Sequence, residues 1–144
     1  MSVVAYKDGV LAADSKAYGG SWCASPGTKA KIHRLDDGTR FGVTSSVIGI
    51  PDRLVAWIKD GAVPEKWGTG EVDARILMVK PNGDVFLASN SLYFSGPLTC
   101  DCYAVGSGCD YALGAMLFGA SAEDAVRVAM KLDPHCGGDV AVLR

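Results

Sequence analysis

The sequence predicts an α+β fold in which two mainly antiparallel sheets carry helices on their outer faces. Three dipeptides, Asp8-Gly9, Asp37-Gly38 and Asn82-Gly83, each separate two strand-like runs of apolar residues. Asp-Gly and Asn-Gly supply the positive φ angles that tight turns need, so each dipeptide predicts an antiparallel hairpin. Segments with helical periodicity follow the second and the third hairpin. This order favours stacked sheets with helices packed outside them.

The hairpins are predicted over residues 3–13, 31–43 and 75–88. The first hairpin does not alternate between apolar and polar residues, because nearly every position on both sides of its turn is apolar. This pattern is typical of strands that are covered on both faces. We therefore expect the first hairpin to lie in the interior, with one layer packed on each face.

The first predicted helix is Ile50–Lys59. Pro51 lies in its first turn, where a missing backbone N–H costs no helical hydrogen bond. Its apolar face is formed by Leu54, Val55 and Ile58. Their spacing is that of an amphipathic helix, so we expect this face to pack on a sheet.

Two further helices are predicted towards the C-terminus. One covers residues 111–118, is apolar almost all round and ends at Gly119, a residue suited to a helix C-cap. The other is Ala122–Leu132, which begins after Ser121 and has Asp124 in a capping-box position. The buried face of this helix is predicted to contain Ala125, Val128, Ala129 and Leu132.

The remaining segments are predicted to be two strands and two loops. A strand precedes Gly106-Ser107-Gly108, and an apolar strand follows the glycine-rich turn at Gly137-Gly138. Segments 15–30 and 89–99 are rich in Gly, Ser and Pro and are predicted to be loops. The sequence has no internal repeat and no long linker, so we expect residues 1–144 to form a single domain.

The composition excludes several classes of protein. Hydrophobic residues make up 49% of the chain and charged residues 21%, which is too apolar for a disordered chain. The net charge is -2 and no basic cluster occurs, so we expect no nucleic acid and no anionic membrane as a partner. No apolar run approaches the ~20 residues of a membrane span and no signal-peptide pattern occurs, so we expect a cytoplasmic protein.

The five cysteines are Cys23, Cys100, Cys102, Cys109 and Cys136. Cys100-Asp101-Cys102 has the spacing of half a metal site, but the sequence lacks the second ligand pair that such a site needs. We therefore expect reduced thiols, no metal and no cofactor. The two histidines, His33 and His135, stand in no recognisable motif, and we expect them to have structural or surface roles.

Four polar residues point to a known family by their order and context. Asp14 ends the second strand and Lys31 begins the third. Ser107 lies in the Gly-Ser-Gly turn before a helix, and Asp133 precedes the last glycine-rich turn. With the opening strand that starts at Ser2, these residues resemble the proteasome β-subunit and HslV peptidase family of N-terminal-nucleophile hydrolases. The resemblance implies a four-layer αββα sandwich, trimmed between residues 61 and 71.

The resemblance also implies a mechanism that starts from the first residue of the mature chain. Removal of Met1 would expose Ser2, whose hydroxyl would attack an amide carbonyl and form an acyl-enzyme. The α-amine of Ser2 would act as the base, since an α-amine has a pKa near 8 that suits neutral pH. Lys31 would lower the pKa of the nucleophile, and Asp14 would orient Lys31.

Further positions support this implied site. Ser107 and Asp133 would hold the α-amine. Cys136 stands where the family usually has a serine and would keep a weak hydrogen bond there. The N–H of Ser46 would stabilise the oxyanion, within a Thr44-Ser45-Ser46 segment where the family has a glycine.

Each of the four motif residues also has a structural interpretation. Asp14 and Asp133 belong to a residue type that commonly caps turns, and Ser107 between two glycines is typical of a turn. Lys31 at the edge of a strand is usually a solvated charge. The sequence by itself leaves both interpretations open for these residues.

The identity of the nucleophile is also open. A gapless match at the N-terminus places Met1, and not Ser2, at the family's nucleophile position. A two-residue turn at Asp8-Gly9 would pair Val3 with Asp14, whereas a three-residue loop would pair Ser2 with Asp14. The hydrolase interpretation with Ser2 needs the longer loop or an equivalent bulge.

The resemblance therefore leaves three functions to separate. The first is a hydrolase of peptides or unfolded proteins, in a homo-oligomeric ring that an ATP-dependent unfoldase could feed. The second is a catalytically inactive, ring-forming scaffold subunit whose site is blocked by Met1. The third is an enzyme of the same fold that cleaves a small amide and needs no ring.

Overall fold

The computed structural model describes residues 1–17, 27–68 and 71–144 as two antiparallel sheets flanked by helices. The strands are β1 (Val4–Lys7), β2 (Val10–Asp14), β3 (Ile32–Arg34), β4 (Arg40–Thr44), β5 (Glu71–Val79), β6 (Val85–Ser91), β7 (Ser95–Leu98), β8 (Cys102–Val105) and β9 (Val140–Leu143). The helices are α1 (Ile50–Lys59), α2 (Cys109–Leu117) and α3 (Ala122–Leu132), with a 3-10 turn at Pro64–Lys66. The strand order is β8-β1-β2-β9 in the first sheet and β3-β4-β5-β6-β7 in the second.

The β1–β2 hairpin separates two hydrophobic cores. Val3, Ala5 and Ala12 pack in the core with α2 and α3, while Val4 and Leu11 pack in the core between the sheets. All five side chains are fully buried, as the apolar pattern of this hairpin predicts. A third core lies between α1 and the second sheet. The layers are thus helices, sheet, sheet and helix, and the predicted four-layer αββα sandwich is confirmed.

The Asp8-Gly9 dipeptide forms a two-residue turn. Its residues have φ angles of 49° and 79°, and Lys7 pairs directly with Val10. Positive φ at both central positions matches the twist of an antiparallel hairpin. The register continues to Val3, whose carbonyl accepts the N–H of Asp14 over 3.2 Å. Of the two registers that the sequence allows, the structure therefore has the one that pairs Val3 with Asp14.

α1 begins and ends where the sequence predicts. Its buried residues are Leu54, Trp57 and Ile58. The predicted Val55 is only half-buried. Trp57 is buried, and its indole N–H is satisfied by the Val63 carbonyl at 2.7 Å. α2 begins slightly earlier than predicted, at Cys109, and Gly119 follows its end with a φ of 103°.

α3 also occupies the predicted residues, with a different buried face. The hydroxyl of Ser121 accepts the N–H of Asp124 over 3.1 Å, so the predicted N-cap is confirmed. The buried residues are Ala122, Ala125, Val126 and Ala129. Val128 is only half-buried, and Leu132, the last residue of the helix, is 56% exposed. The prediction that α3 buries Val128 and Leu132 is therefore wrong.

The prediction of a loop over residues 89–99 is wrong for most of these residues. β6 continues to Ser91, and β7 (Ser95–Leu98) adds an edge strand to the second sheet. Pro97 lies in this strand, and a proline is tolerated there because one side of an edge strand needs no hydrogen-bond donor. The other predicted loop covers residues 15–30. Within it, Lys16 and Thr28 form an isolated antiparallel bridge. Residues 18–26, which include Cys23, lie outside the described residues.

Gly42 in β4 marks the close approach of the two sheets. A Cβ atom at this position would lie 2.5 Å from a methyl group of Val4 and 3.2 Å from one of Ile32. Any side chain would therefore push the sheets apart. This contact brings the start of β1 against the second sheet, where the candidate site lies.

Candidate functional site

The N-terminus of the chain borders a cavity of about 260 Å³ between the first sheet, the second sheet and α1. Met1, Ser2, Lys31 and Ser46 are among its lining residues. Three of the sequence-predicted positions, Ser2, Lys31 and Ser46, thus meet at one opening although they are far apart in the chain. The fold brings together the residues before β1, the residue before β3 and the segment after β4.

Asp14 and Lys31 form a buried ion pair beside this cavity. The ammonium of Lys31 lies 2.9 Å from both carboxylate oxygens, and the side chains are only 0% and 6% exposed. The carboxylate also accepts the N–H of Val3 over 2.9 Å and the N–H of Gly137 over 3.0 Å. These hydrogen bonds offset the cost of removing two charges from water. The predicted pairing of Asp14 with Lys31 is therefore present, and the solvated alternative for Lys31 is wrong.

A second polar cluster holds the backbone nitrogen of Ser2. The N–H of Ser2 donates to the Ser107 hydroxyl over 3.1 Å. Asp133 accepts the N–H of His135 over 2.9 Å and the thiol of Cys136 over 3.3 Å. Burial raises the pKa of Asp133, but hydrogen bonds from Ser107, the His135 N–H and the Cys136 thiol outweigh burial and hold it below its ordinary value. Asp133 therefore carries a negative charge at neutral pH.

The thiol of Cys136 stays protonated in this cluster. Burial, followed by the nearby carboxylates of Asp14 and Asp133, raises its pKa to about 12. A protonated thiol donates a hydrogen bond, which is the role expected of a residue in the usual serine position. Cys136 is thus a donor to Asp133 rather than a reactive thiolate.

The glycines on either side of Ser107 allow this cluster to approach the N-terminus. Gly106 has a φ of 102°, and a Cβ atom there would lie 2.1 Å from the carbonyl oxygen of Ser2. A Cβ atom at Gly108 would lie 2.9 Å from the Cys136 sulfur and 3.1 Å from Val3. The N–H of Gly108 instead donates to the Ser2 carbonyl over 3.2 Å. Both glycines are required by close backbone packing.

Met1 is the residue whose α-amine lies in the site. This amine donates to the carbonyl of Ser45 over 3.1 Å. Burial, and then the positive charge of Lys31, lowers its pKa, while Cys136, Asp14 and Asp133 act in the opposite direction. The charges of Lys31, Asp14 and Asp133, which the sequence predicts for the site, therefore all act on the α-amine of Met1.

Ser2 lies one residue further into the chain and is only 5% exposed. Its hydroxyl donates to the carbonyl oxygen of Met1. Val3, and not Ser2, is the residue that pairs with Asp14. The role of Ser2 as nucleophile is a prediction for the chain without Met1.

The segment after β4 contributes Ser45 and Ser46. The Ser46 hydroxyl donates to the carboxylate of Asp73, and the Ser45 hydroxyl donates to the Asp73 carbonyl over 2.5 Å. The Ser45 carbonyl accepts the Met1 amine. The sequence did not predict a role for Ser45 or Asp73. Ser45 contributes its backbone carbonyl, which any residue has, and the position of Asp73 is typical of an exposed residue in a strand. The oxyanion role of Ser46 stays a prediction.

The two histidines differ in their relation to the site. His33 lines the cavity and packs on Phe41, with 5.4 Å between the ring centroids. Burial, followed by the charges of Lys59 and Lys29, lowers its pKa, so His33 is neutral at pH 7. His135 takes part through its backbone N–H, which supports Asp133.

Two structural properties bear on membranes and metals. Within residues 1–17, 27–68 and 71–144, no helix is long and apolar enough to cross a membrane. Over the same residues, no group of three or more His, Cys, Asp or Glu side chains is placed to hold a metal ion.

The Cys100-Asp101-Cys102 segment has a local hydrogen bond. The exposed thiol of Cys100 donates to the backbone carbonyl of Cys102 over 3.3 Å.

Comparison with solved structures identifies the fold. BPH of Thiobacillus denitrificans in complex with epoxomicin matches with a TM-score of 0.71 and 20% identity, over 99% of this chain and 96% of that chain. A second structure of the same BPH matches with a TM-score of 0.67 and 20% identity, over 99% and 95%. Eukaryotic HslV from Trypanosoma brucei matches with a TM-score of 0.65 and 18% identity, over 98% and 97%.

Neither a family model nor a curated protein matches the sequence. At these identities the structural likeness shows the fold alone. The chain has the HslV-like proteasome β-subunit fold, as its sequence motifs predict. Its α+β sandwich is similar to that of N-terminal-nucleophile hydrolases.

Proposed function

We propose that this protein is an N-terminal-nucleophile hydrolase that cleaves peptide bonds with Ser2 after Met1 has been removed. One observation carries the proposal: the nitrogen of Ser2 already donates to the Ser107 hydroxyl over 3.1 Å. Removal of Met1 would turn this amide nitrogen into an α-amine without moving it. The base that the mechanism needs would then be seated on Ser107, beside the charged Asp133.

Removal of Met1 would also free the nucleophile. The Ser2 hydroxyl donates to the carbonyl oxygen of Met1, and that oxygen leaves with the methionine. The freed hydroxyl would then face the cavity that Ser2 lines together with Lys31. The ammonium of Lys31, held by Asp14, supplies the positive charge that lowers the pKa of a neighbouring nucleophile.

The reaction then follows the acyl-enzyme route. The Ser2 oxygen attacks the amide carbonyl carbon while its proton passes to the Ser2 α-amine, directly or through water. The N–H of Ser46 stabilises the oxyanion, and the C–N bond breaks as the ammonium returns the proton to the leaving amine. Water, activated by the same α-amine, hydrolyses the ester and releases Ser2.

Two N-terminal forms of the chain test this proposal. One begins at Met1 and the other at Ser2, and both are released in vitro from a cleavable fusion, so that no cellular aminopeptidase acts on them. Each form is incubated with a β-lactone that acylates N-terminal hydroxyl nucleophiles, and with epoxomicin, the compound bound in one of the BPH structures. We expect one stoichiometric adduct on Ser2 in the form that begins at Ser2, and no adduct in the other.

Variants make this experiment specific. Lys31→Ala in the form that begins at Ser2 is expected to abolish the adduct. Lys66→Ala, in an exposed ion pair outside the cavity lining, is the control that keeps it. Cleavage of a fluorogenic peptide amide should follow the same pattern. A form that begins at Ser2, is folded by circular dichroism and reacts with neither compound would overturn the hydrolase.

A second candidate is a catalytically inactive scaffold subunit that retains Met1. It is favoured by the hydrogen bond of the Met1 amine to Ser45 and by the register that pairs Val3 with Asp14. The intact mass of protein purified from its natural source separates the two candidates. A mass that retains Met1 favours the scaffold, and a mass without Met1 favours the hydrolase.

The assembly and the substrate are part of the same proposal. The fold supports a homo-oligomeric ring. The enclosed peptide or unfolded-protein substrate and the ATP-dependent unfoldase are proposed because the sequence resemblance implies them. Native mass spectrometry tests the ring. A monomer or dimer that still hydrolyses amides would instead support an enzyme for small amides.

A further inference from the structure

The α-amine of Met1 is an amine nucleophile at the wall of a cavity. Its nitrogen is tied to the Ser45 carbonyl over 3.1 Å, and Met1 itself lines the 260 Å³ space. The hydrogen bond fixes the position of the nitrogen. A small molecule that enters the cavity therefore meets a primary amine in a defined place, which is unlike the N-terminus of a disordered tail.

Burial of this amine and the positive charge of Lys31 favour its neutral form. Lys31 faces it with a positive charge, while Asp14, Asp133 and the Cys136 thiol face it from the other elements of the site. The Asp14 carboxylate is already engaged by Lys31 and two backbone N–H groups. Burial and Lys31 together outweigh the carboxylates and lower the pKa of the amine. A neutral amine is the form that attacks carbonyl carbon.

We propose that the chain that retains Met1 captures small aldehydes and ketones as imines on the Met1 α-amine. This inference does not rest on the hydrolase, because it concerns the form of the chain in which Ser2 is not terminal. It gives the Met1 form a chemistry of its own, different from that of an inactive scaffold.

The step is balanced without any further reactant. The nitrogen lone pair forms a C–N bond to the carbonyl carbon, and one N–H proton moves to the oxygen through solvent to give a carbinolamine. The carbinolamine then loses water, its oxygen leaving with the second N–H proton, and a C=N bond remains. Hydrolysis by the reverse steps releases the carbonyl compound and regenerates the amine.

The cavity walls indicate which carbonyl compounds fit. The apolar residues Val43, Val47, Ile48 and Val55 are among those that line the same cavity as Met1. Val43 is buried at 3% exposure, whereas Val47 and Ile48 are 48% and 69% exposed and lie towards solvent. A short, branched aliphatic aldehyde would place its chain against these residues and its carbonyl carbon at the amine. We therefore use 3-methylbutanal as the probe.

Reductive trapping tests the proposal on the form that begins at Met1. The protein is incubated with 3-methylbutanal and cyanoborohydride at pH 7, and the adduct is mapped by peptide mass spectrometry. The reference is a free peptide with the sequence of the first six residues, whose amine has an ordinary pKa near 8 and is about 10% neutral at pH 7. We expect the protein to react several-fold faster, up to about tenfold, first on Met1.

Three further measurements distinguish a site from ordinary amine chemistry. The trapping rate should saturate with aldehyde concentration in the protein and stay linear in the peptide. The pH midpoint of the rate should lie lower in the protein than in the peptide. Val47→Trp, in the cavity lining, should slow trapping at least about fivefold, because the indole would fill space that the aldehyde needs. Lys66→Met, in an exposed ion pair outside the cavity lining, should leave the trapping rate unchanged.

The opposite results would overturn the proposal. These are a trapping rate no faster than that of the peptide, a linear dependence on aldehyde, or adducts that accumulate on lysine side chains before Met1. Failure here leaves the acylation of Ser2 untouched, because that reaction is measured on the other N-terminal form.

Discussion

Two lysine–aspartate ion pairs, whose lysines are two residues apart in the chain, show how burial changes the contribution of an ion pair. Lys29 lies 2.9 Å from Asp52, and Lys31 lies 2.9 Å from Asp14. The first pair has exposures of 37% and 68%, and the second has exposures of 6% and 0%. Geometry alone does not separate them, but their environment does.

The difference lies in what replaces water. Around Lys29 and Asp52 water solvates both charges, so the pair adds little. Asp14 has lost water and gained the N–H groups of Val3 and Gly137 as well as Lys31. A charge held in this way acts on its neighbours, and after burial the charge of Lys31 is the next cause that lowers the pKa of the Met1 amine. The same residue types therefore form a solvated surface ion pair in one place and a buried ion pair of the candidate site in the other.

The largest expected effect comes from breaking the buried pair. Lys31→Ala leaves the Asp14 carboxylate buried without its counter-charge, so we expect the free energy of unfolding to fall by about 3–5 kcal/mol. Urea denaturation followed by circular dichroism measures it. A loss below about 1 kcal/mol would mean that Asp14 is solvated and that the two pairs are alike.

A smaller loss is expected when both charges are removed together. Asp14→Asn with Lys31→Met keeps an oxygen acceptor for the N–H of Val3 and leaves no buried charge. We expect this double variant to be about 2 kcal/mol more stable than Lys31→Ala, while Ser2 stays unreactive towards the β-lactone. If the double variant were both stable and reactive, the pair would be structural only.

Acid should reveal the depressed pKa of Asp133. A carboxyl whose folded pKa lies below its ordinary value of 3.8 stabilises the fold above that value, and this stability is lost as the pH falls through the folded pKa. We expect the stability difference between the wild type and Asp133→Asn to be constant from pH 5 to pH 7 and to shrink below about pH 4. Tm measured against pH tests it, and a constant difference down to pH 2 would contradict it.

The smallest effect is expected for the exposed pair. Lys29→Ala should lower the free energy of unfolding by less than about 1 kcal/mol, because both partners are solvated. The remaining effect should disappear in high salt, which screens surface charges. A loss of unfolding free energy as large as that of Lys31→Ala would contradict the conclusion that burial separates the two ion pairs.

Much of the fold was predictable because its signals are local. The three Asp-Gly and Asn-Gly turns, the Ser121 cap and the bounds of α1 and α3 depend on φ angles and on hydrogen bonds within a few residues. β7 was missed because Gly and Pro favour loops, and only its place at the edge of the second sheet makes Pro97 acceptable there.

The site was predictable in its residues and less so in its geometry. Lys31, Asp14, Ser107 and Asp133 follow from motif order, and the structure brings them to one N-terminus. Ser45 and Asp73 carry no such signal, since one acts through a carbonyl and the other through a contact with a distant segment. Contacts of that kind are set by the packing of β4 on β5.

The sequence by itself determined that two sheets carry helices outside them, which residues form turns and caps, and which polar side chains are available for chemistry. Hydrophobic periodicity and backbone preference are properties of short segments, so these features can be predicted locally. The four-layer order was implied by the family resemblance. Only the tertiary structure decided which of two hairpin registers forms, and hence that Val3 pairs with Asp14 and the Met1 amine reaches Ser45. A one-residue change of register turns every side chain to the opposite face, and the choice between registers is made by the layers packed on both sides of β1.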